Sequence, residues 1–184
     1  MKSIEQPPSL ERPIAVEDAR PEDAAAIAHV RNVTWQATYP NKKAGITLED
    51  ILSKDFESET EVGKWRKAIE KKEGPRRLWV ARESEGVVGY SQGRKGENFN
   101  EILGLYVLPE YQGKGLGRGL MSRAMEWLGD EKPVLLSAAS YSLSAIELYK
   151  KFGFEITGED ENSGPDFASG AKIPSVRMMK VAAK

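Results

Sequence analysis

The chain has 184 residues, enough for one domain with a sizeable core, and its 27 basic and 28 acidic side chains leave a net charge of −1. This balance argues against a nucleic-acid-binding protein, which would carry a basic excess. The lack of cysteine excludes disulfides and a cysteine nucleophile, and the single histidine, His29, argues against a histidine-based metal cluster or a Ser-His-Asp triad. No run of about 18 apolar residues occurs, so we expect a cytoplasmic protein without a membrane span.

The N-terminal part of the chain predicts a tail, a strand and a helix. Residues 1–11 have no periodic apolar face and are expected to form a flexible tail, with 12–184 as a single domain. A short strand over 14–16 precedes a helix that starts near Pro21 and ends before Pro40, because apolar residues between them recur at steps of three and four.

The rest of the chain predicts strands interrupted by helices. Two short helices are expected in the polar segment 41–75, and the turn 83–86 favours a hairpin. The later expected elements are strands over 78–82, 87–92, 101–108, 134–139, 154–157 and 176–181 and helices over 116–128 and 144–152. The strand 101–108 is apolar on both faces, which predicts a central strand covered on both sides. This order is typical of a mixed α/β, or layered α+β, domain.

A glycine-rich loop joins the strand 101–108 to the helix that follows it. Its sequence is Gln112-Gly113-Lys114-Gly115-Leu116-Gly117-Arg118. A strand-to-helix junction of this kind presents unpaired backbone N–H groups at the positive end of a helix, and glycine lets the backbone approach a ligand closely. Since Lys114 and Arg118 add positive charge, the loop is expected to bind a phosphate or pyrophosphate.

The spacing of this loop does not match the two most familiar nucleotide-binding loops. A P-loop would need Ser or Thr after Gly113-Lys114, where the chain has Gly115. A dinucleotide fingerprint would need glycine at position 118 or 120, which are Arg118 and Leu120. Both assignments are therefore excluded.

Two motifs of the chain resemble the GNAT superfamily of N-acetyltransferases. Gln112–Gly117 is similar to the family signature Gln/Arg-x-x-Gly-x-Gly/Ala after the central strand. Ser142–Phe154 is similar to a second motif, Asn-x-x-Ala-x-x-x-Tyr-x-x-x-Gly-Phe, with Ser142 in place of the usual Asn. The resemblance runs over about 14–181 and implies a mostly antiparallel central sheet of about seven strands with helices on both faces.

The resemblance also implies a reaction and a set of binding residues. The implied reaction is transfer of an acetyl group from acetyl-CoA to a primary amine by direct attack, with no metal. The backbone of the central strand would hold the thioester carbonyl, the loop would hold the pyrophosphate, and Ser142 would replace the Asn that usually contacts the pantetheine arm. The expected cofactor-binding residues are Leu105, Tyr106, Val107, Gln112, Gly113, Lys114, Gly115, Leu116, Gly117, Arg118, Ser142, Ala145 and Tyr149.

Two residues are candidates for proton transfer and three aromatic residues for the acceptor site. Tyr149 is expected to be the general acid, because a phenol with an ordinary pKa of about 10 can protonate a thiolate, with a core tyrosine on an amphipathic helix as the alternative. Glu101 is a candidate general base, with a solvated strand-end glutamate as the alternative. Trp35 and Tyr39 are candidates for binding the acceptor, as is Trp65, with packing in the core as the alternative for all three.

The identity of the acceptor is less constrained than that of the cofactor. The segments 33–40 and 170–175 resemble a GNAT branch that includes polyamine acetyltransferases, and the acidic positions 159–161 and Asp166 favour a polycationic amine. A protein or peptide N-acetyltransferase and a non-catalytic acyl-CoA-binding module are the alternatives. We expect neither a nucleic-acid nor a membrane partner, and the sequence allows a monomer or a homodimer.

Overall fold

The computed structural model describes residues 14–71, 73–84, 86–160 and 164–183, and seven strands in this part of the chain form one sheet. The strands are β1 (Ala15–Asp18), β2 (Arg76–Glu83), β3 (Gly86–Arg94), β4 (Asn100–Val107), β5 (Val134–Ala139), β6 (Glu155–Glu159) and β7 (Ser175–Lys180). The α-helices are α1 (Ala24–Thr38), α2 (Leu48–Leu52), α3 (Glu59–Glu70), α4 (Leu116–Leu128) and α5 (Leu143–Lys151). The predicted tail over 1–11 lies outside the described residues.

The sheet has the order β1-β2-β3-β4-β5-β7-β6. All neighbouring strands are antiparallel except β4 and β5, which are parallel. The predicted fold class, a mixed and mostly antiparallel sheet of about seven strands with helices, is therefore confirmed.

Helices cover both faces of the sheet, as the alternation of side chains along β3 shows. On one face the Ser91 hydroxyl donates to the Leu120 carbonyl of α4 at 3.2 Å. On the other face the ring of Tyr90 packs edge-on against Trp65 of α3 at 5.4 Å between centroids, and α1 packs beside α3. Trp65 is thus a core residue, which corrects the suggestion that it lines the acceptor site.

The sheet opens between β4 and β5. The two strands pair only at Asn100 with Val134 and Glu101 with Leu135, and beyond that point β4 pairs with β3 alone. Asn100 fixes this starting point, because its buried side chain donates to the Leu128 carbonyl at 2.9 Å. The two parallel strands therefore diverge from a fixed base and leave a gap along their carboxyl-terminal halves.

The opening changes the environment of β4 from the one that its sequence predicts. Its apolar residues indicate a strand covered on both faces, but Leu103 is 37% exposed. Leu103 is also the extra residue of a β-bulge, since Ile102 pairs with Gly93 and Gly104 with Gln92. Leu103 thus lines a cavity instead of being covered by a helix, whereas Ile102 of the same strand is buried in the core.

Candidate active site

Two adjoining cavities lie at the gap between β4 and β5. The loop cavity, of about 700 Å³, is lined by the glycine-rich loop, the start of α5 and the second half of β4. The α1 cavity, of about 680 Å³, is lined by residues of α1, β4, β5 and β7. Tyr39, Leu103 and Tyr106 contribute to the walls of both cavities, so a ligand group in one can meet a ligand group in the other.

The glycines of the loop are required for two different reasons, backbone conformation and close packing. Gly113 and Gly115 have φ angles of +76° and +83°, and a Cβ built on either meets no atom within 4 Å. These two residues therefore adopt a backbone conformation that favours glycine, and a Cβ would project into open space. Gly117 instead serves packing, because its Cβ would lie 3.3 Å from Leu148 Cδ2 of α5.

The loop ends in the first turn of α4 and leaves amide groups for an anion. The first N–H groups of a helix have no acceptor within the helix, and here the Gly119 N–H donates to the Gly115 carbonyl at 3.0 Å. The N–H groups of Leu116, Gly117 and Arg118 remain at the positive end of the helix dipole. This is the arrangement that binds phosphate groups.

Lys114 and Arg118 lie on the outer side of the loop. Both side chains are exposed and neither lines the loop cavity, while Lys114 Nζ lies 4.9 Å from the ring centroid of Tyr111. The other residues that the sequence assigns to the loop, Gln112, Gly113, Gly115, Leu116 and Gly117, do line the cavity. The part of the wall that the loop supplies is thus rich in glycine backbone, and the two cationic side chains lie outside the lining.

The open edge of β4 presents the backbone groups of two residues, Leu105 and Val107, to the cavity. The Leu108 N–H donates to the Val88 carbonyl of β3 at 2.9 Å, so by the alternation of an antiparallel ladder Leu105 and Val107 direct their backbone groups to the opposite edge. The Val107 carbonyl on that edge accepts a hydrogen bond from Gln112 Nε2 at 3.0 Å. Tyr106 has its backbone toward β3 and contributes its side chain instead.

The start of α5 supplies the opposite wall of the loop cavity. Ser142 occupies the N-cap position, yet its side chain makes no capping hydrogen bond. Both Ser142 and Ala145 line the cavity. The Ser142 hydroxyl is therefore available to a ligand at the position that the second motif predicts.

Tyr149 lies at the inner end of the same cavity. Its side chain is 6% exposed, and its hydroxyl has no hydrogen-bond partner among the described residues. Burial, and to a smaller extent the neighbouring Tyr106, raises the pKa of the Tyr149 phenol well above its ordinary value. Tyr149 is therefore a hydroxyl donor over the whole physiological pH range.

Glu101 lines the α1 cavity at the point where the strands separate. Arg94 of β3 contacts only its Oε2 atom, through both Nε and a terminal guanidinium nitrogen. The other carboxylate oxygen has no partner among the described residues. Glu101 is thus held in place by one oxygen and can accept a proton or bind a water through the other.

Trp35 and Tyr39, the candidates for binding the acceptor, both line the α1 cavity. Their ring centroids are 4.4 Å apart, and the hydroxyls of Tyr39 and Tyr106 lie 3.5 Å from each other. Burial first, and Tyr106 second, raises the pKa of Tyr39. The backbone of Tyr39 is fixed by Tyr141, whose hydroxyl donates to the Tyr39 carbonyl at 3.0 Å.

Sequence reasoning missed Arg31 and Tyr141, which also line the cavities. Arg31 precedes Trp35 by four residues, so the two side chains share one face of α1, and this spacing is a signal that the sequence does contain. Tyr141 carries no comparable signal, because its partner Tyr39 is 102 positions away in the chain.

Within the described residues, no three side chains of the kinds that bind metals are grouped closely enough to hold an ion. None of the helices in this part of the chain has the length and apolar character needed to cross a bilayer.

A mostly antiparallel sheet that opens beside a glycine-rich strand-to-helix junction is the architecture that the two sequence motifs predict. Comparison with known proteins agrees, because residues 74–156 match the family model described as the acetyltransferase (GNAT) domain. The matched segment is somewhat less than half of the chain, and the similarity is that of this segment to the family.

Two curated relatives and one solved structure illustrate the similarity. Over 95 residues the chain is 32% identical to the L-amino acid N-acyltransferase MnaT of Escherichia coli (strain K12), covering 48% of this chain and 55% of the relative. Over 62 residues it is 34% identical to the spermine/spermidine N(1)-acetyltransferase of Bacillus subtilis (strain 168), covering 32% of this chain and 41% of the relative. The chain thus spans about half the length of these relatives.

The fold is shared more widely than the sequence. The crystal structure of the PaiA N-acetyltransferase from Thermoplasma acidophilum, in complex with coenzyme A, superposes with a TM-score of 0.69 at 17% identity over 92% of this chain and 99% of that one. At this identity the likeness concerns the fold.

Proposed function

We propose that the protein is an acetyl-CoA-dependent N-acetyltransferase that transfers the acetyl group to a primary amine by direct attack. The observation that carries the proposal is the open edge of β4, which lines the same cavity as the glycine-rich loop and Tyr149. The motif resemblance and the relatives named above support the same reaction.

The residues of the loop cavity fit acetyl-CoA. Gly113 and Gly115 leave open the space that a Cβ would occupy, so the loop backbone can approach the pyrophosphate. Ser142 and Ala145 line the path of the pantetheine arm, and the backbone N–H groups of Leu105 and Val107 would polarise the thioester carbonyl. When bound, acetyl-CoA supplies the activated acyl group.

Tyr149 and Glu101 would handle the two protons of the reaction. Tyr149, protonated at all working pH values, donates a hydrogen bond or a proton to the departing thiolate sulfur. Glu101, on the α1 side, removes a proton from the incoming ammonium group, directly or through a water. The two residues lie in the walls of different cavities, as a transfer between two substrates requires.

The acceptor is a small amine that enters through the α1 cavity. The B. subtilis relative supports a polyamine and the E. coli relative supports an amino acid, each through a partial match. A peptide acceptor is the third candidate, supported only by the match of residues 74–156 to the acetyltransferase (GNAT) family model.

The test is thiol release from acetyl-CoA in the presence of a panel of polyamines, amino acids and peptides, with the acetylated product identified by mass. We expect thiol release that depends on one class of amine. Tight binding of acetyl-CoA with no amine-dependent release across the panel would show a binding module instead, and no binding would refute the cofactor assignment.

A further inference from the structure

Some of the charged side chains that line the α1 cavity have an ion-pair partner of opposite charge among the described residues, and one does not. Glu101 is paired with Arg94, and Asp160 is paired with Arg177 at 3.3 Å and also accepts a hydrogen bond from Ser137. Arg31 lines the same cavity, yet no carboxylate of the described residues lies within ion-pair distance of its guanidinium. The cavity therefore contains a cation that has no anionic partner in the described part of the chain.

Aromatic rings hold Arg31 in place. Its guanidinium carbon lies 4.3 Å from the ring centroid of Phe56, 5.2 Å from that of Trp35 and 6.0 Å from that of Trp65. Contacts with ring faces fix the plane of a guanidinium and take away part of its water, but they satisfy none of its five N–H donors. A half-buried, oriented guanidinium of this kind is suited to bind a planar anion through two parallel hydrogen bonds.

A second unpaired donor lies one helical turn away. Trp35 is 5% exposed, and its Nε1 is a buried polar atom with no hydrogen-bond partner among the described residues. An indole N–H can only donate, and a buried donor without an acceptor destabilises the fold. Trp35 and Arg31 both line the α1 cavity, and the Arg31 guanidinium carbon lies 5.2 Å from the centroid of the indole ring, so an acceptor group bound to Arg31 lies close to this buried donor.

From these observations we infer that the acceptor amine carries a carboxylate, as a free amino acid does. The carboxylate binds the Arg31 guanidinium and the Trp35 indole N–H, and the amine faces the gap between β4 and β5 near Glu101. A polycationic amine would instead meet the unpaired positive charge of Arg31. This inference rests on the proposed function and specifies its substrate.

Pairs of acceptors that differ only in the carboxylate measure how much this group contributes to kcat/KM. The acceptors are the twenty common amino acids, the amino alcohols of alanine, leucine, methionine and phenylalanine, and spermidine. An amino alcohol keeps the amine and the side chain and replaces the carboxylate by an uncharged hydroxymethyl group. We expect kcat/KM for an amino acid to exceed that of its amino alcohol by about 10–100-fold, the effect of one charge-assisted hydrogen-bonded pair.

Two variants test the proposed contacts. Arg31→Met keeps an unbranched side chain against Phe56 and removes the charge, so it should lower kcat/KM for amino acids about 10–100-fold and leave the amino alcohols nearly unchanged. Trp35→Phe keeps a ring and removes only the N–H, so we expect a loss of about 3–10-fold with the same selectivity. Arg66→Met is the control, because Arg66 is exposed on α3 and lines neither cavity.

The outcomes distinguish this inference from the proposed function. Acetylation of amines with no preference for the carboxylate, or an equal loss for all acceptors in Arg31→Met, would overturn the inference and leave the acetyltransferase assignment intact. If no acceptor is turned over, tryptophan fluorescence of the CoA-loaded protein replaces the rate as the readout. Saturable binding of an amino acid that Arg31→Met weakens would then support the carboxylate site, and its absence would overturn it.

Discussion

The loop cavity and the α1 cavity adjoin each other but are built by different means. The loop cavity has two walls made of residues close together in the chain, the glycine-rich loop and the start of α5, which meet residues of β4, β5 and the end of α1. The α1 cavity is formed by side chains from α1, β4, β5 and β7, which are far apart in the chain. Part of the loop cavity is thus specified by local sequence, whereas the α1 cavity is specified by the fold alone.

This difference explains how many of the residues that line each cavity can be predicted from the sequence. Backbone recognition of a phosphate needs glycine at fixed spacing, and such spacing forms a motif. Side-chain recognition of an acceptor needs only that a few residues meet in space, which leaves no continuous pattern. The experiments below separate the two kinds of site, from the largest expected effect to the smallest.

Removing the Tyr149 hydroxyl should have the largest effect on turnover. We expect Tyr149→Phe to lower kcat by about 10²–10⁴-fold, the usual loss when general-acid help is removed. Affinity for acetyl-CoA and the melting temperature should stay near wild type, because the ring remains and the hydroxyl has no partner among the described residues.

Tyr90→Phe is the matched control for that experiment. Tyr90 is 1% exposed, burial raises its pKa as it does for Tyr149, and it lines neither cavity. Steady-state kinetics of both variants should show a loss only for Tyr149→Phe. A loss of melting temperature with full turnover in Tyr149→Phe would identify Tyr149 as a core residue and remove it from the mechanism.

A charge placed in the glycine-rich loop should act on the cofactor alone. We expect Gly115→Asp to weaken acetyl-CoA binding by about 100-fold, because its carboxylate would face the pyrophosphate and its φ of +83° strains any side chain. Gly115→Asn has the same shape and tolerates this φ equally well, so it isolates the charge. Calorimetry that gives equal affinities for the two variants would rule out an anion at this loop.

The same contrast shows what could and could not be predicted from the sequence. The order of helices and strands along the chain follows from periodic apolar residues, and the glycine-rich loop and the candidate Tyr149 follow from motif spacing. The divergence of β4 from β5 could not be predicted, because the apolar pattern of 101–108 is the same for a strand covered on both faces and for one that lines a cavity. Arg31 was missed because a charge on a helix is most often solvated, and only its aromatic neighbours show otherwise.

A change on the α1 side of the gap tests the removal of the amine's proton. We expect Glu101→Gln to lower kcat/KM for the amine about 10–100-fold at pH 7, where most of a primary amine is protonated. The difference in kcat/KM between Glu101→Gln and the wild type should become smaller as the pH approaches 10, because the amine then loses its proton without a general base. A loss that stays constant from pH 7 to 10 would make Glu101 a residue of structure or binding. Arg94→Gln, which removes only the partner of Glu101, should show a smaller loss with the same trend.

The smallest expected effect concerns the free energy of unfolding at high pH, to which the buried phenols of Tyr149 and Tyr90 should contribute in the same way. The pKa of Tyr149 and that of Tyr90 are raised by burial in the folded protein, whereas in the unfolded chain both phenols ionise near pH 10. Below pH 10 the phenols are protonated in both the folded and the unfolded chain, so the stabilising contribution of each buried phenol is fully present. Above pH 10 the unfolded chain loses the proton first, so stability falls as the pH rises toward the folded pKa.

Each buried phenol should therefore cost the wild-type protein about 1.4 kcal/mol of unfolding free energy at pH 11 relative to pH 9. Tyr149→Phe and Tyr90→Phe should each remove one such contribution, which urea unfolding at the two pH values measures. Equal pH dependence in wild type and Tyr149→Phe would mean that the Tyr149 phenol ionises normally in the folded protein. Its hydroxyl would then be in contact with water from the loop cavity, and its advantage as a donor that stays protonated would be lost even though its position in the cavity wall is unchanged.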